Sequence, residues 1–141
     1  MSQAEQIAKQ LLRCFKRGNK VMIAGNGGSA AQASHLAAEL IHEGLPAISL
    51  SADTSVLTSI SNDLAYREVF ARQLIALGKP KDIFIGISTS GKSQNILYAY
   101  EWAKKLDIEI IDFPRKGKTP RCQEMQLRLL HQVWEEIREN I

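Results

Sequence analysis

Two short apolar runs, KVMIA at 20–24 and DIFIGI at 82–87, each pass into a loop of glycines and serines and then into a helical pattern. A strand, a polar loop and a helix make the opening of a βαβ unit. Repeating such units forces a parallel sheet, because the helix must carry the chain back before the next strand starts. AISL at 47–50 and DIEIIDF at 107–113 read as two further strands. Helices are expected between them: one capped by Ser2 with Glu5 and ended by Gly18-Asn19, then 30–42, 56–77 with a break near Asn62-Asp63, 94–106 and 122–140. The expectation is an α/β fold, a mostly parallel sheet sandwiched between helix layers. Residues 1–141 form a single domain, with no long linker or low-complexity stretch.

Composition narrows the function classes. Apolar residues make up 45% and charged residues 23% of 141 residues, enough for a real core. The net charge of +3 is mild and spread along the chain, so it does not point to nucleic acid. Cys14 and Cys122 lack metal spacing and read as buried thiols in a reducing compartment. No apolar run is long enough to span a membrane, and the first ten residues lack a signal-peptide core. A cytoplasmic protein without membrane contact is expected.

GISTSGKS at 86–93 fits the phosphate-loop pattern G-x-x-x-x-G-K-[ST] at every position. A nucleotide enzyme would also need an apolar strand ending in a magnesium carboxylate, for which Asp112 is the candidate. That reading leaves GNGGS at 25–29 without a role. In GNGGS, Asn26, Gly27 and Gly28 let backbone N–H groups approach a ligand, and Ser29 opens a helix. Ser88, Thr89, Ser90 and Ser93 surround a second helix start with hydroxyls. Two hydroxyl-rich helix starts suit a monoester phosphate held by neutral donors. Sugar phosphate is therefore preferred over nucleotide.

His35 and Glu39 are four apart on the helix that GNGGS opens, so they share a face. That pair suits a zinc site, a base with its orienter, or a plain surface hydrogen bond. Gln123 and His131 are eight apart on the last helix, a rise of about 12 Å. One helix brings both to one point only with difficulty, and His131 beside Trp134 also reads as a core or interface residue. His42 reads as a solvated loop residue.

At this point four blocks resemble a known family: AGNGGSAAQASHLAAEL, DTSVLTSISNDLAYREVFARQLIALG, DIFIGISTSGKS and TPRCQEMQLRLLHQVWEEI. They are similar, in the same order, to the sedoheptulose 7-phosphate (phosphoheptose) isomerases of the sugar isomerase, or SIS, superfamily. The resemblance implies a Rossmann-like SIS domain. It implies conversion of sedoheptulose 7-phosphate to glycero-manno-heptose 7-phosphate, an early step towards nucleotide-activated heptose for lipopolysaccharide. It implies substrate contacts from Asn26, Gly27, Gly28, Ser29, Glu39, Asn62, Asp63, Ser88, Thr89, Ser90, Ser93 and Gln123. Zinc is implied at His35, Glu39, Gln123 and His131, with Glu39 and His131 as the base and acid. A homotetramer with sites between subunits is implied too, which would ease the spacing of Gln123 and His131. The alternative is a non-catalytic SIS protein that binds the replication initiator or senses sugar phosphate; the presence of both Glu39 and His131 favours the enzyme.

Four departures stand out. The family's extra N-terminal helical segment and a loop near Glu43-Gly44 are missing. Lys92 stands where the family more often has Asn, and that change creates the phosphate-loop match. Helix AYEWAKKL runs almost directly into DIEIID at Leu106-Asp107, a connection expected to be too short to span a sheet, so that a further strand, loop and helix are expected to be missing there.

Overall fold

The computed structural model describes all of residues 1–141. The order is α1 (Gln3–Lys16), β1 (Val21–Gly25), α2 (Gly28–His42), β2 (Ala47–Ser49), α3 (Thr54–Asp63), a 3₁₀ turn (Tyr66–Glu68), α4 (Val69–Leu77), β3 (Ile83–Ile87), α5 (Gln94–Lys105), β4 (Glu109–Asp112) and α6 (Thr119–Glu139). The four strands are parallel and lie in the order β2-β1-β3-β4. β1 and β3 are buried at every position, as central parallel strands must be.

Each strand sends alternate side chains to opposite faces, and two cores result. Val21 and Ile23 of β1 and Ile83, Ile85 and Ile87 of β3 meet α1, α2 and α6 on one face. Met22, Ala24 and Phe84 meet α4 and α5 on the other through Phe70, Leu74, Ile96 and Ala99. The three-layer sandwich expected from the alternation is thus present.

The element starts follow local chemistry. Ser2 Oγ accepts from the Glu5 N–H at 3.1 Å and caps α1. Asp53 caps α3 by accepting from the Val56 N–H at 3.1 Å, two residues earlier than apolar spacing indicates. The break near Asn62-Asp63 is real: α3 ends at Asp63 and the chain turns through Tyr66–Glu68 before α4. α6 starts at Thr119 with Pro120 in its first turn, before Cys122, where proline's missing N–H costs nothing.

The connection at Leu106-Asp107 is long enough, contrary to expectation. α5 is itself the crossover, and β4 settles directly beside β3 rather than farther along the sheet. Asp107 takes φ +58°, and the Ile108 N–H reaches back to the Ala103 carbonyl at 2.9 Å, a tight left-handed helix ending. No further strand is needed at that point.

Asp82 ties the amino ends of the strands together. It is almost fully buried and accepts from Asn19 Nδ2 (2.8 Å), the Lys20 N–H (3.1 Å), Lys20 Nζ (2.6 Å) and the Lys79 N–H (2.8 Å). Burial alone would raise its pKa; the hydrogen bonds from Lys20, Asn19 and the two backbone N–H groups outweigh that and lower it.

Candidate active site

β1 and β3 are neighbours, with Gly25 in register with Ile87. Their carboxyl ends therefore release GNGGS and STSGKS side by side, where ligands of open α/β sheets bind. Neither helix start carries a side-chain cap: Gly27 precedes α2, and Ser93 precedes α5 without a capping bond. The first-turn N–H groups of both helices are thus free of side-chain caps, the arrangement that favours an anion. Within the second loop, buried Ser88 Oγ accepts from the Gly91 N–H at 3.0 Å and lies 3.4 Å from the hydroxyls of Ser90 and Ser93. Ser90 Oγ accepts from the Lys92 N–H at 3.0 Å. The loop is held in shape by its own hydroxyls.

The first loop is tied to its neighbours through Asn26. Its side-chain amide pairs reciprocally with that of buried Asn95 on α5, each bond 2.9 Å, and its Oδ1 also accepts from the Tyr66 hydroxyl at 2.7 Å. The Asn26 side chain is therefore occupied by protein partners. Asn62 and Asp63 are exposed and bonded to each other at 3.0 Å. No hydrogen bond joins them to the two loops; the link from this segment comes through Tyr66.

α2 and α6 form the other wall. Gly28 packs so closely on Gln123 that a Cβ there would stand 2.4 Å from its Nε2. One turn on, Gln32 Nε2 donates to the Gln123 carbonyl at 2.7 Å. Farther along, the His35 and His131 rings meet edge to face with centroids 5.1 Å apart, and His35 Nε2 lies 3.1 Å from Glu39 Oε1. Glu39, His35 and His131 thus make one cluster. Gln123 belongs to the other end of the seam, as its spacing from His131 dictates.

The donor set suits zinc in kind, with two imidazoles, a carboxylate and an amide. Its geometry is not that of a closed metal site. No three His, Cys, Asp or Glu side chains converge on one point, and Glu39 faces His35.

Several residues that build the site carry no motif. Fully buried Gln126 on α6 donates to the Ser88 and Pro114 carbonyls, each at 3.1 Å, and ties α6 to the serine loop. The Oε1 atoms of Gln32 and Gln126 are buried without a donor. Asp112, the nucleotide reading's magnesium carboxylate, is committed elsewhere: its Oδ1 accepts from Arg115 Nη1 at 2.8 Å and from the Tyr100 hydroxyl at 3.0 Å. Burial, and then that carboxylate, hold the Tyr100 hydroxyl protonated well above the usual phenol range. A surface cavity of about 530 Å³ between Arg17, Lys81, Lys104 and Glu109 opens at the amino ends of β3 and β4, away from both loops.

Comparison with known proteins agrees with this architecture. The sequence profile of the SIS domain matches residues 1–113. A phosphoheptose isomerase of Helicobacter pylori strain P12 is 45% identical over 90% of this chain and 78% of its own length. One from Synechocystis is 42% identical over 94% of this chain and 80% of its own. The solved phosphoheptose isomerase of Neisseria gonorrhoeae superposes with a TM-score of 0.94 at 35% identity, covering 96% of this chain and 85% of that one. A family model over residues 1–113, relatives 45% and 42% identical over most of both chains and a near-complete superposition lead to one conclusion: this chain belongs to the phosphoheptose isomerase family of SIS-domain proteins.

Proposed function

We infer that the protein is an aldose–ketose isomerase that converts sedoheptulose 7-phosphate to glycero-manno-heptose 7-phosphate. The observation that carries this reading is the contact between α2 and α6, which sets Glu39, His35 and His131 together beside two phosphate-type loops. The relatives named above support the same reaction.

The division of labour follows from position. Ser88, Thr89, Ser90 and Ser93 hold the phosphate with hydroxyls and with the free N–H groups of the α5 start. Gly27, Gly28 and Ser29 border the sugar chain; Asn26 serves through its backbone, because its amide is engaged. Binding at the phosphate orients the distant reacting carbons. Glu39 takes a proton from C1 of the ketose and returns it to C2. His131 moves the hydroxyl proton from the C1 oxygen to the C2 oxygen, so the cis-enediolate between them is never left with an uncompensated charge. His35 holds the Glu39 carboxylate at 3.1 Å and orients it. Gln123, pressed against Gly28, closes the substrate side of the seam.

His35, Glu39 and His131 are the residues that would hold zinc; Gln123, at the other end of the seam, would join such a site only from a neighbouring subunit. A bound ion would supply polarisation of the carbonyl and hydroxyl oxygens. Asn62 and Asp63 stay with the substrate in this proposal, on the segment that Tyr66 anchors. The protein acts as a homotetramer. α3 has no fully buried residue, and Ile41, Leu64 and Tyr66 are more than half exposed, which leaves apolar surface for subunit contact. No helix is long and apolar enough to cross a membrane.

The test is incubation of the purified protein with sedoheptulose 7-phosphate and separation of the products, before and after chelation. Formation of the aldose is the expected result. Its absence in metal-replete, folded protein would leave a non-catalytic sugar-phosphate binder.

A further inference from the structure

We propose that Arg115 is a ligand of the substrate phosphate, supplying an anchored positive charge beside the serine loop. The proposal rests on the isomerase reading above. Arg115 lies on the loop between β4 and α6, far in sequence from the loop it faces. Its guanidinium packs flat against Gly91: a Cβ on that residue would stand 2.6 Å from Nε and 2.7 Å from both Cζ and Nη2. Gly91 has φ +71°, so both its backbone and the space above it require glycine. The face of the group lies over Gly91, and its Nε–Nη2 edge, the two-pronged one that matches phosphate oxygens, borders the loop.

The opposite side of the guanidinium is anchored. Nη1 donates to Asp112 Oδ1 at 2.8 Å, and the Tyr100 hydroxyl fixes the same oxygen at 3.0 Å. Nε and Nη2 have no protein acceptor, while the side chain stays about one-third exposed. A cation held from behind with its donor edge free is what an incoming phosphate needs. The loop itself offers hydroxyls and N–H groups, which are neutral. Its one cation, Lys92, is exposed and makes no ion pair.

Arg115→Gln and Arg115→Lys provide the test, with inorganic phosphate as a competitive inhibitor of sedoheptulose 7-phosphate turnover. Losing a charge-assisted pair should raise KM and the phosphate inhibition constant together, by about 10- to 100-fold in Arg115→Gln. kcat should change far less. Arg115→Lys should recover part of the loss, since it keeps the charge without the fork. An unchanged inhibition constant in Arg115→Gln would overturn the proposal. So would a fall in kcat and thermal midpoint at constant phosphate affinity, because Arg115 would then only pack the loop. If the parent protein does not isomerise the sugar, the reaction reading fails alone. Calorimetric titration of parent and Arg115→Gln with inorganic phosphate then still decides whether Arg115 binds phosphate.

Discussion

The His35 and His131 rings touch edge to face, centroids 5.1 Å apart, although one stands midway along α2 and the other in α6. That contact joins α2 and α6 into the one wall on which the proposed acid and base stand. Glu39→Gln and His131→Ala should each lower turnover by at least about 100-fold, the lower end of general acid–base contributions, with circular dichroism unchanged. Zinc content must be measured alongside. Loss of rate at full metal occupancy assigns proton transfer; loss that tracks metal release recasts both residues as ligands. Near-normal turnover in a folded variant removes that residue from the mechanism.

Ser90→Ala combined with Ser93→Ala should weaken sedoheptulose 7-phosphate binding by more than about tenfold, since hydrogen bonds to charged groups are each worth about 1.5–3 kcal/mol. ATP should bind poorly to both forms. Calorimetry that finds tight, magnesium-dependent ATP binding would revive the nucleotide reading, and would have to explain how Asp112 leaves Arg115 and Tyr100.

Gly28→Ala should fold normally, because the atom in its way is the end of a flexible side chain. It should act by pushing Gln123 aside. The expected loss of kcat/KM, about tenfold, should match that of Gln123→Ala, and the double variant should be no worse than either single one. Additive losses in that cycle would show that Gly28 serves the substrate through its own backbone instead.

Asp82→Asn should cost about 3 kcal/mol at neutral pH, by leaving Lys20 without its buried partner. The sign of the pH effect follows from the lowered pKa. The Asp82 contribution is complete above the ordinary carboxylate value of 3.8 and is lost as pH falls through the lower folded value. The acid limb of stability against pH should therefore flatten in Asp82→Asn. Urea melts between neutral and strongly acid pH measure this directly.

Asp107→Gly should stabilise the fold by about 1 kcal/mol, because a non-glycine residue held at φ +58° carries left-handed strain. The ion pair it gives up, with Lys81 at 3.5 Å, is largely exposed and worth little. A thermal midpoint that falls would mean the pair matters more than the strain.

Much of this architecture was legible in the sequence because parallel strands and their helices obey strong local rules. Both glycine loops lie at the carboxyl ends of central strands, where alternation placed them. The misjudged step at Leu106-Asp107 came from counting only the turn; the span is crossed by α5, and Asp107 in a left-handed conformation makes the reversal. Gln32, Asn95, Gln126 and Arg115 could not be read from spacing. Each is defined by a partner distant in the chain: the Gln123 carbonyl, the Asn26 amide, the Ser88 carbonyl and the Gly91 Cα face. A buried glutamine in an apolar helical stripe, as at Gln126, is the one signal that could have marked such a residue, since a buried amide must find partners. Pairings between glycine and a large side chain, as at Gly28 and Gly91, leave no trace in a single sequence.

Gln126 has a consequence for selectivity. It fixes one point of α6 to the serine loop through the Ser88 carbonyl, while His131 stands farther along the same helix. Five residues of helix separate the two positions, a rise of about 7.5 Å that cannot stretch. In the proposed reaction α6 therefore acts as a ruler, with the phosphate loop at one mark and the imidazole assigned to proton transfer at the other. On that reading a shorter sugar phosphate fills the first mark and falls short of the second, and is expected to bind without being turned over.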